Sequence, residues 1–375
     1  MSRITRREFT RTVMGTAGVS WASALPARAH ASSPAAPSPR GSLTDVPGIK
    51  VGHFTDPRRP TGCTAILFDG EAAAGVDYDG SAPGDWLGVM LQPASPIDTI
   101  HAILMAGAGP FGLAAVPGAV RYLEERKQGF DWGIPNTRIP IVVGTVIDDL
   151  ALGDAKIRPD PEAAYQACQA ASAAPVEEGC VGIGAGATVG KMLHSRGIGG
   201  MKAGVGCASL RLGGVVIAAL VVANSVGDIL DWRSGKIIAG GRRPDGKGFV
   251  NIVETLKQQL TEAAPGASLQ IDDLALRSTT LAVVATNVAF NKTQLTKIAM
   301  MASTGAARAI NPYHTTGDGD STFAISTNKL KADVPLSAVG ALAAEVVADA
   351  VVQSAKMATS VEGWPAYRDY TARLE

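Results

Sequence analysis

Charged and aromatic residues are both scarce in this chain of 375 residues. Charged side chains make up 18% of the residues and aromatic ones 5%, and the 34 basic residues balance the 34 acidic ones. Without a positive excess the chain lacks the electrostatic footprint that binds nucleic acid, so we expect no nucleic-acid partner. Apolar residues still make up 46% of the chain. Since so few of them are aromatic, Ala, Val, Leu and Ile must build a well-buried core.

Cysteine is rare as well. The chain has four widely spaced cysteines and no C-x-x-C pair: Cys63, Cys168, Cys180 and Cys207. This spacing argues against a zinc site. A Cys168–Cys180 disulfide is conceivable in an exported protein, although sequence alone fixes no pairing. We favour the interpretation that the cysteines are buried thiols.

The first 31 residues have the pattern of an export signal. Arg6-Arg7 is a twin-arginine pair, a stretch of small apolar residues runs from Val13 to Leu25, and Ala29-His30-Ala31 is an A-x-A cleavage site. We predict a twin-arginine signal peptide over residues 1–31, a disordered leader over 32–42, and a single domain over 43–375. The protein is then periplasmic or secreted. No later apolar run reads as a membrane span, so we expect no membrane contact after export.

The remaining chain alternates strand patterns with helical patterns, which predicts an α/β fold. The pattern indicates a strand from Gly62 to Phe68, a turn at Asp69-Gly70 and a second strand from Gly75. A near-continuous apolar run that ends at Asn224 is typical of a strand buried on both faces. The predicted helices run from Gly107 to about Lys127, from about Thr293 to Ile310, and from Ala338 to about Ala358 with Ser337 as N-cap.

A further apolar strand pattern begins at Thr279, directly after Ser278. If the backbone is cut before Thr279, the freed α-amine lies beside the Oγ of the same residue. An amine with a pKa of about 7.7–8.0 accepts a proton at neutral pH and so activates this weak nucleophile. On its own, however, a Thr-Thr pair indicates only β-propensity.

A glycine-rich run over residues 182–191 does not fit the nucleotide-binding motifs. Ala185 and Met192 occupy positions where a P-loop needs Gly and Ser or Thr, and the dinucleotide fingerprint is met only in its loosest form. We interpret the run as backbone lying close to a ligand or to another strand. Lys191 at its end is a candidate cation of the site.

Two other polar positions leave alternatives open. Asn224 at the end of its strand either caps a turn or directs its amide at an oxyanion. The pair Asp318-Gly319-Asp320 is a solvated turn, a metal-binding start, or a pair of carboxylates that orients the nucleophile and shares protons. The rest of the loop does not fit an EF-hand.

Taken in this order, the motifs resemble the autoprocessing L-aminopeptidase/D-esterase family, which includes β-aminopeptidases and nylon-oligomer endo-amidases. The resemblance spans about Leu43 to Ala358. It rests on Thr61–Thr64, Ala82–Gly84, Gly107–Leu113, Gly184–Lys191, Asn224–Asp228, Thr279–Asn287 and His314–Asp320.

The resemblance implies a four-layer αββα sandwich, cut between Ser278 and Thr279 into an α and a β chain. It also implies a homotetramer of α/β heterodimers that works without a cofactor or metal. The predicted catalytic residues are Thr279 as nucleophile, Asn224 as oxyanion donor, Asp318 and Asp320 as the hydrogen-bond network of the nucleophile, and Lys191 as the site lysine. Asp148 and Gly109 are assigned to substrate binding.

The sequence departs from the family pattern at two of these positions. Ser278 stands where Asn or Gly often precedes the nucleophile, and Asp148 stands where relatives usually have an aromatic, often Tyr. We predict a hydrolase of small peptides or amides, most of all an aminopeptidase, in which a carboxylate such as Asp148 pairs with the substrate ammonium. An endo-amidase is the alternative within the class. An ornithine acetyltransferase would show other motifs, and a periplasmic binding protein would leave the chain uncut.

Overall fold

The computed structural model describes residues 41–264 and 278–372. The predicted signal peptide, the leader up to residue 40 and Arg277 lie outside the described residues. Regular structure begins with a short 3-10 turn, Leu43–Asp45. Ser42 caps this turn, because its side chain accepts a hydrogen bond from Thr44 N while the Asp45 carboxylate accepts one from Ser42 N.

The strands are β1 Ile49–Thr55, β2 Gly62–Asp77, β3 Asp85–Trp86, β4 Thr99–Ala106, β5 Val142–Val146, β6 Thr188–Val189, β7 Met201–Lys202, β8 Val205–Leu212, β9 Val215–Asn224, β10 Asp228–Asp231, β11 Lys236–Ala239, β12 Thr279–Val288, β13 Ile310–Asn311 and β14 Ser321–Leu330. The α-helices are α1 Val116–Glu125, α2 Pro161–Gln169, α3 Ile252–Glu262, α4 Lys292–Ala309, α5 Leu336–Lys356 and α6 Tyr367–Thr371. The predicted helices correspond to α1 with the preceding 3-10 turn, to α4 and to α5.

Nine strands form one large mixed sheet in the order β3-β5-β4-β2-β14-β12-β9-β8, with β1 paired to β2. Strand β2 is 16 residues long and belongs to two parts of this sheet. Its first half pairs with β1 and β4, and its second half pairs with β14. The predicted turn at Asp69-Gly70 is wrong, because the chain continues there as one irregular strand. The register against β4 shifts between Leu67 and Ala72, and Gly70 supplies the positive φ of 89° in this bulge.

Three buried clusters divide the molecule into layers. The middle cluster packs one half of the sheet against the other, with Ile66, Ile103 and Val143 on one side and Leu220, Val283 and Phe323 on the other. Helices α1 and α2 cover the outer face of β2, β4 and β5. Helices α4 and α5 cover the outer face of β9, β12 and β14. The predicted four-layer αββα sandwich is therefore confirmed.

The central strands β9 and β12 are buried on both faces. Along β12, Leu281 and Val283 point into the middle cluster, while Ala282 and Val284 point toward the helices. All ten residues of β12 are buried. This double burial explains the continuous apolar runs in the sequence, since neither face of these strands meets water.

Helix α5 is the one helix in the described residues that is long and apolar enough to cross a membrane by length and composition. Much of it is buried against α4 and the sheet, with Val347, Val351 and Ala355 in the core. Burial in the core accounts for its apolar composition. The helix begins at Leu336 with Pro335 as N-cap, so the predicted cap at Ser337 is wrong by two residues.

None of the four cysteines forms a disulfide. Cys63, Cys168 and Cys207 are buried, as predicted, and Cys180 is half-buried with its Sγ 3.3 Å from the Thr359 carbonyl oxygen. Burial raises the pKa of the Cys168 thiol to about 12, which makes it an unreactive core side chain.

Candidate active site

Thr279 begins β12 in the middle of the large sheet, directly opposite Asn224, the last residue of β9. The side chain is nearly buried, with 7% of the residue exposed. Thr279 Oγ1 donates to the Ser278 carbonyl oxygen at 2.6 Å, and Gly319 N donates to the same oxygen at 2.9 Å. The carbonyl of the predicted scissile bond is therefore held between the predicted nucleophile and a main-chain N–H.

The Asp320 carboxylate fixes the peptide that follows the nucleophile. Asp320 Oδ1 accepts from Thr280 N at 2.6 Å, and Asp320 Oδ2 accepts from His314 N at 3.2 Å. Asp320 is fully buried and Asp318 is 1% exposed. Burial of both carboxylates excludes the interpretation as a solvated turn. In residues 41–264 and 278–372, no group of three or more His, Cys, Asp or Glu is placed to hold a metal ion.

Gly319 is the point of closest approach between this loop and the nucleophile. A Cβ at Gly319 would lie 2.7 Å from Thr279 Oγ1 and 2.6 Å from the Ala82 carbonyl oxygen, so only glycine fits. The segment after β2 closes over the loop, because Gly80 N donates to the Asp320 carbonyl and Ala82 N to the Asp318 carbonyl. This contact accounts for the Ala82–Gly84 motif, to which the sequence assigned no role.

Asp318 is the least satisfied carboxylate of the site. Its Oδ2 accepts from Thr315 N at 2.9 Å and from Thr315 Oγ1 at 2.7 Å, whereas its Oδ1 is buried without a hydrogen-bond partner in the described structure. Burial, followed by the neighbouring Asp320 charge, raises the pKa of Asp318 to about 6. This carboxyl therefore exchanges a proton close to neutral pH.

Asn224 joins the nucleophile to two other predicted residues. Its Oδ1 accepts from Lys191 Nζ at 3.0 Å, and its Nδ2 donates to the Asp148 carbonyl oxygen at 3.1 Å. Lys191 Nζ also donates to the Asn224 carbonyl oxygen at 3.1 Å. Burial lowers the pKa of Lys191 to about 7, although Asp318 and Asp148 act in the opposite direction. The lysine is therefore poised between its charged and neutral forms at physiological pH.

Asp148 lies on the loop after β5 and is half-buried, with Oδ1 accepting from Leu150 N at 2.9 Å. Gly109, at a φ of 55°, faces it closely enough that a Cβ there would lie 3.4 Å from Asp148 Cγ. A cavity of about 10 Å³, room for about one water, adjoins both Asp148 and Lys191. Its lining is completed by Asp149, Ala151, Leu152, Thr188 and Trp364. A larger cavity of about 670 Å³ lies among residues 124–138 and contains none of the predicted site residues.

The structure thus brings the predicted residues together through a few direct contacts. Thr279 and Asn224 are strand partners. Lys191 and Asp148 hydrogen-bond to the Asn224 side chain. The Asp318–Asp320 loop hydrogen-bonds to the Ser278 carbonyl and to Thr280 N. His314 was not among the predicted site residues, although it stands in the His314–Asp320 motif. His314 Nδ1 lies 3.2 Å from Asp320 Oδ2, and its spacing from Asp320 was the available signal.

Comparison with known proteins places the chain among peptide and amide hydrolases. The sequence pattern of peptidase family S58 matches residues 41–367. An uncharacterized aminopeptidase of Mycobacterium leprae is 35% identical over 358 residues, covering 88% of this chain and 94% of its own. A 6-aminohexanoate-oligomer endohydrolase of Kocuria sp. is 30% identical over 326 residues, covering 83% of this chain and 85% of its own.

A solved structure supports the same fold. The L-aminopeptidase D-Ala-esterase/amidase of Ochrobactrum anthropi superposes with a TM-score of 0.61 at 21% identity, over 86% of this chain and 89% of its own. That structure is described as a variant of the Ntn hydrolase fold. The resemblance predicted from the motifs is confirmed, with both the aminopeptidase and the nylon-oligomer branches among the relatives. The chain therefore belongs to peptidase family S58 and is a hydrolase of peptide or amide bonds.

Proposed function

We propose that the chain cleaves itself between Ser278 and Thr279 and then acts as an aminopeptidase on small peptides or amides, with Thr279 as N-terminal nucleophile. The observation that carries the proposal is the 2.6 Å contact from Thr279 Oγ1 to the Ser278 carbonyl oxygen. It places a hydroxyl against the one carbonyl whose cleavage would free the α-amine of the same threonine. Such an amine is an established activator of a threonine hydroxyl.

Self-cleavage starts from the uncut chain. Thr279 Oγ attacks the Ser278 carbonyl carbon, while Gly319 N–H stabilises the charge that develops on the carbonyl oxygen. The α-nitrogen is still an amide at this stage, so another group must accept the hydroxyl proton. Our candidate for this proton acceptor is Asp318, whose main chain pairs with that of Ser278 and whose carboxyl is ionised above a pKa of about 6. Asp318 passes this proton to the Thr279 nitrogen as the C–N bond between Ser278 and Thr279 breaks, which gives an ester on Thr279 Oγ. Water hydrolyses this ester and leaves a Ser278 carboxylate and a free Thr279 amine.

Turnover of substrate repeats the attack with the freed amine as base. Thr279 Oγ attacks the substrate carbonyl, and the α-amine returns the hydroxyl proton to the leaving amine as the scissile C–N bond breaks. Water then hydrolyses the acyl-enzyme. The Asn224 amide is our candidate for holding the oxyanion, which requires Nδ2 to leave the Asp148 carbonyl that it meets in the uncut chain. Lys191 at Asn224 Oδ1 orients the amide for this role. Asp320 keeps the Thr279–Thr280 peptide in place.

Asp148 favours the aminopeptidase over the endo-amidase. Its half-buried carboxylate faces Gly109 beside the small cavity, where it can pair with a substrate ammonium. The name of the M. leprae relative agrees with this choice. The endo-amidase remains a second candidate because of the Kocuria relative. Wild type should cleave peptides with a free amino terminus far faster than N-acetylated ones, and Asp148→Asn should remove most of this preference by losing activity on the free peptides alone. An equal loss on both substrates would contradict the aminopeptidase assignment.

Export by the residue 1–31 signal and assembly into a homotetramer of α/β heterodimers are also proposals. They are supported by the twin-arginine pattern and by the family resemblance. Light scattering of the processed protein tests the tetramer.

The central experiment is a denaturing gel with sequencing of the smaller band, combined with amidase assays. Wild type should give two chains, the smaller one beginning at Thr279. Thr279→Ala should stay uncut, folded and inactive, whereas Thr279→Ser keeps a hydroxyl and should be processed. Thr280→Val, a matched neighbour of similar volume, should be processed and active. If Thr279→Ala hydrolyses amides at the wild-type rate, the proposal fails and Thr280 becomes the next candidate.

A further inference from the structure

His314 lies between the buried carboxylate of the active site and an exposed carboxylate. Its Nδ1 is 3.2 Å from Asp320 Oδ2, and its Nε2 is 2.9 Å from Ser303 Oγ and 3.6 Å from Asp79 Oδ2. The side chain of Asp320 is fully buried, that of His314 is 25% exposed, and that of Asp79 is 48% exposed. The ring is therefore a polar connection from the interior to the surface. The chemistry proposed above does not use it.

The protonation state of the His314 ring decides to which group the Ser303 hydroxyl donates its hydrogen. A neutral imidazole has a single N–H, and the contact in which Asp320 Oδ2 accepts a hydrogen bond from the ring requires that N–H on Nδ1. Ser303 must then donate to Nε2, so it has no hydrogen left for Asp79 Oδ2, 3.3 Å away. When the ring gains a proton, Nε2 donates to Ser303 Oγ instead, and Ser303 is free to donate to Asp79. A proton that arrives at Asp79 can thus be passed to His314 without moving a heavy atom.

The ring is surrounded mainly by acidic groups. Asp77 and Asp79 face it from the end of β2 and the residues just after it, and burial followed by a hydrogen bond with Asp79 raises the pKa of Asp77 to about 7. Tyr313 packs on the ring, with centroids 3.8 Å apart. Burial, followed by the charges of Asp320, Asp318, Asp79 and Asp77, raises the pKa of Tyr313. Lys297 on α4 acts in the opposite direction, because its positive charge lowers the pKa of Asp77.

We propose that His314 is a positioning residue that holds Asp320 against Thr280 N and passes protons between Asp320 and the exposed Asp79. The inference rests on the proposed role of Thr279, since Asp320 acts on the nucleophile through the Thr279–Thr280 peptide. His314 itself touches neither the nucleophile nor the scissile carbonyl in the contacts described, so its effect is on turnover rather than on substrate affinity.

Two substitutions at His314 separate the two halves of the role. His314→Ala removes the contacts to Asp320 and to Ser303, and kcat should fall on the order of 10²-fold while KM stays within about twofold. His314→Asn keeps a side-chain donor toward Asp320 and tolerates the φ of 56°. It should recover roughly tenfold of that loss. Because it lacks the connection to Ser303, its pH profile of kcat should still differ from that of wild type.

Substitutions at the surface end test the proton path. Ser303→Ala and Asp79→Asn leave the Asp320 contact intact, so they should shift the pH profile of kcat with only a several-fold change at the optimum. Asp69→Asn is the matched control, because this carboxylate is about as exposed as Asp79 but lies within β2 and pairs with Lys50. It should change neither kcat nor the pH profile.

Unchanged kcat and pH profile in His314→Ala would overturn the proposal. So would a loss confined to thermal stability, with normal kcat per processed molecule. Failure of the proposed function is recognised separately, since Thr279→Ala would then remain active. If Thr279→Ala is inactive and His314→Ala is normal, only the role of His314 falls.

Discussion

Asn224 links two clusters of polar contacts built on buried carboxylates, and the clusters differ in what compensates the carboxylate charge. The first is centred on Asp149, next to the substrate-binding candidate Asp148. The Arg59 guanidinium, fully buried like its partner, donates to both the carboxylate and the carbonyl of Asp149. Thr61 Oγ1 and Ala108 N supply further donors at 2.7 and 2.9 Å. The second cluster, Asp318 and Asp320, receives main-chain N–H groups, a threonine hydroxyl and a histidine, and it keeps one free oxygen.

The difference separates a structural carboxylate from catalytic candidates. Asp149 ties the β1–β2 turn and the Gly107–Ala108 segment to the loop after β5. The fit is tight, because a Cβ at Gly107 or at Gly186 would lie 2.2 Å from Asp149 Oδ2. Burial raises the pKa of Asp149, while Arg59 and the donors act against this. Asp318 lacks such a partner and keeps its affinity for a proton near neutral pH. A carboxyl with a raised pKa beside a nucleophile is typical of a functional site.

The largest effect is expected when the compensated cluster is broken. Arg59→Met leaves the Asp149 charge buried and unpaired, so the free energy of unfolding should fall by about 3–5 kcal/mol. Urea unfolding of the uncut Thr279→Ala background measures it without interference from processing. Adding Asp149→Leu should cost much less than the sum of the two single changes, since it removes the stranded charge. A cost near zero for Arg59→Met would show that the pair does not hold these loops together.

An intermediate effect, on turnover rather than stability, is expected at Asp320. Asp320→Asn weakens the acceptor for Thr280 N and for His314, and kcat should fall on the order of 10²-fold, equivalent to about 2.7 kcal/mol of barrier. Added EDTA should have no effect on either protein. If the variant keeps the wild-type kcat, the Asp318–Asp320 loop is only a structural turn. If EDTA inhibits the enzyme and a divalent cation restores activity, the loop is a metal site.

Most of the fold was predictable because it depends on local pattern. The apolar runs of β9 and β12 arise from burial on both faces, and the one-sided apolar pattern of α4 arises from packing on the sheet. The errors occurred where one signal fits two structures. Asp69-Gly70 suits a hairpin turn as well as the bulge that β2 contains, and only pairing with β4 and β14 decides between them.

The site was predictable as a set of residues but not as an arrangement. Thr279, Asn224 and Asp320 stand in recognisable motifs. The pairing of Arg59 with Asp149 joins residues 90 positions apart, and no spacing rule predicts it. The approach of Gly319 to Thr279 Oγ1 likewise depends on how two distant loops pack. Ser303 carries no signal at all, because its only distinction is to face His314 from α4.

The smallest expected effect has the opposite sign and tests the uncompensated cluster directly. The folded state raises the pKa of Asp318 from its ordinary 3.8 to about 6. Between these values the folded state binds more protons than the unfolded state, so stability decreases as the pH rises from 4 to 6. Above pH 6 the full penalty of the buried charge is present.

Asp318→Asn removes this charge and keeps an oxygen for the Thr315 contacts. At pH 8 the variant in the Thr279→Ala background should therefore be more stable than its parent by about 1 kcal/mol, because the new amide N–H₂ is buried without a partner and offsets part of the gain. The gain should shrink as the pH falls through 6 and change sign toward pH 4, because the parent carboxyl is then protonated as well and only the cost of the buried amide remains. With Thr279 restored, the same variant should process slowly. If Asp318→Asn is instead less stable than its parent at pH 8, the charge of Asp318 is compensated in the fold like that of Asp149. The distinction between the two clusters would then no longer hold.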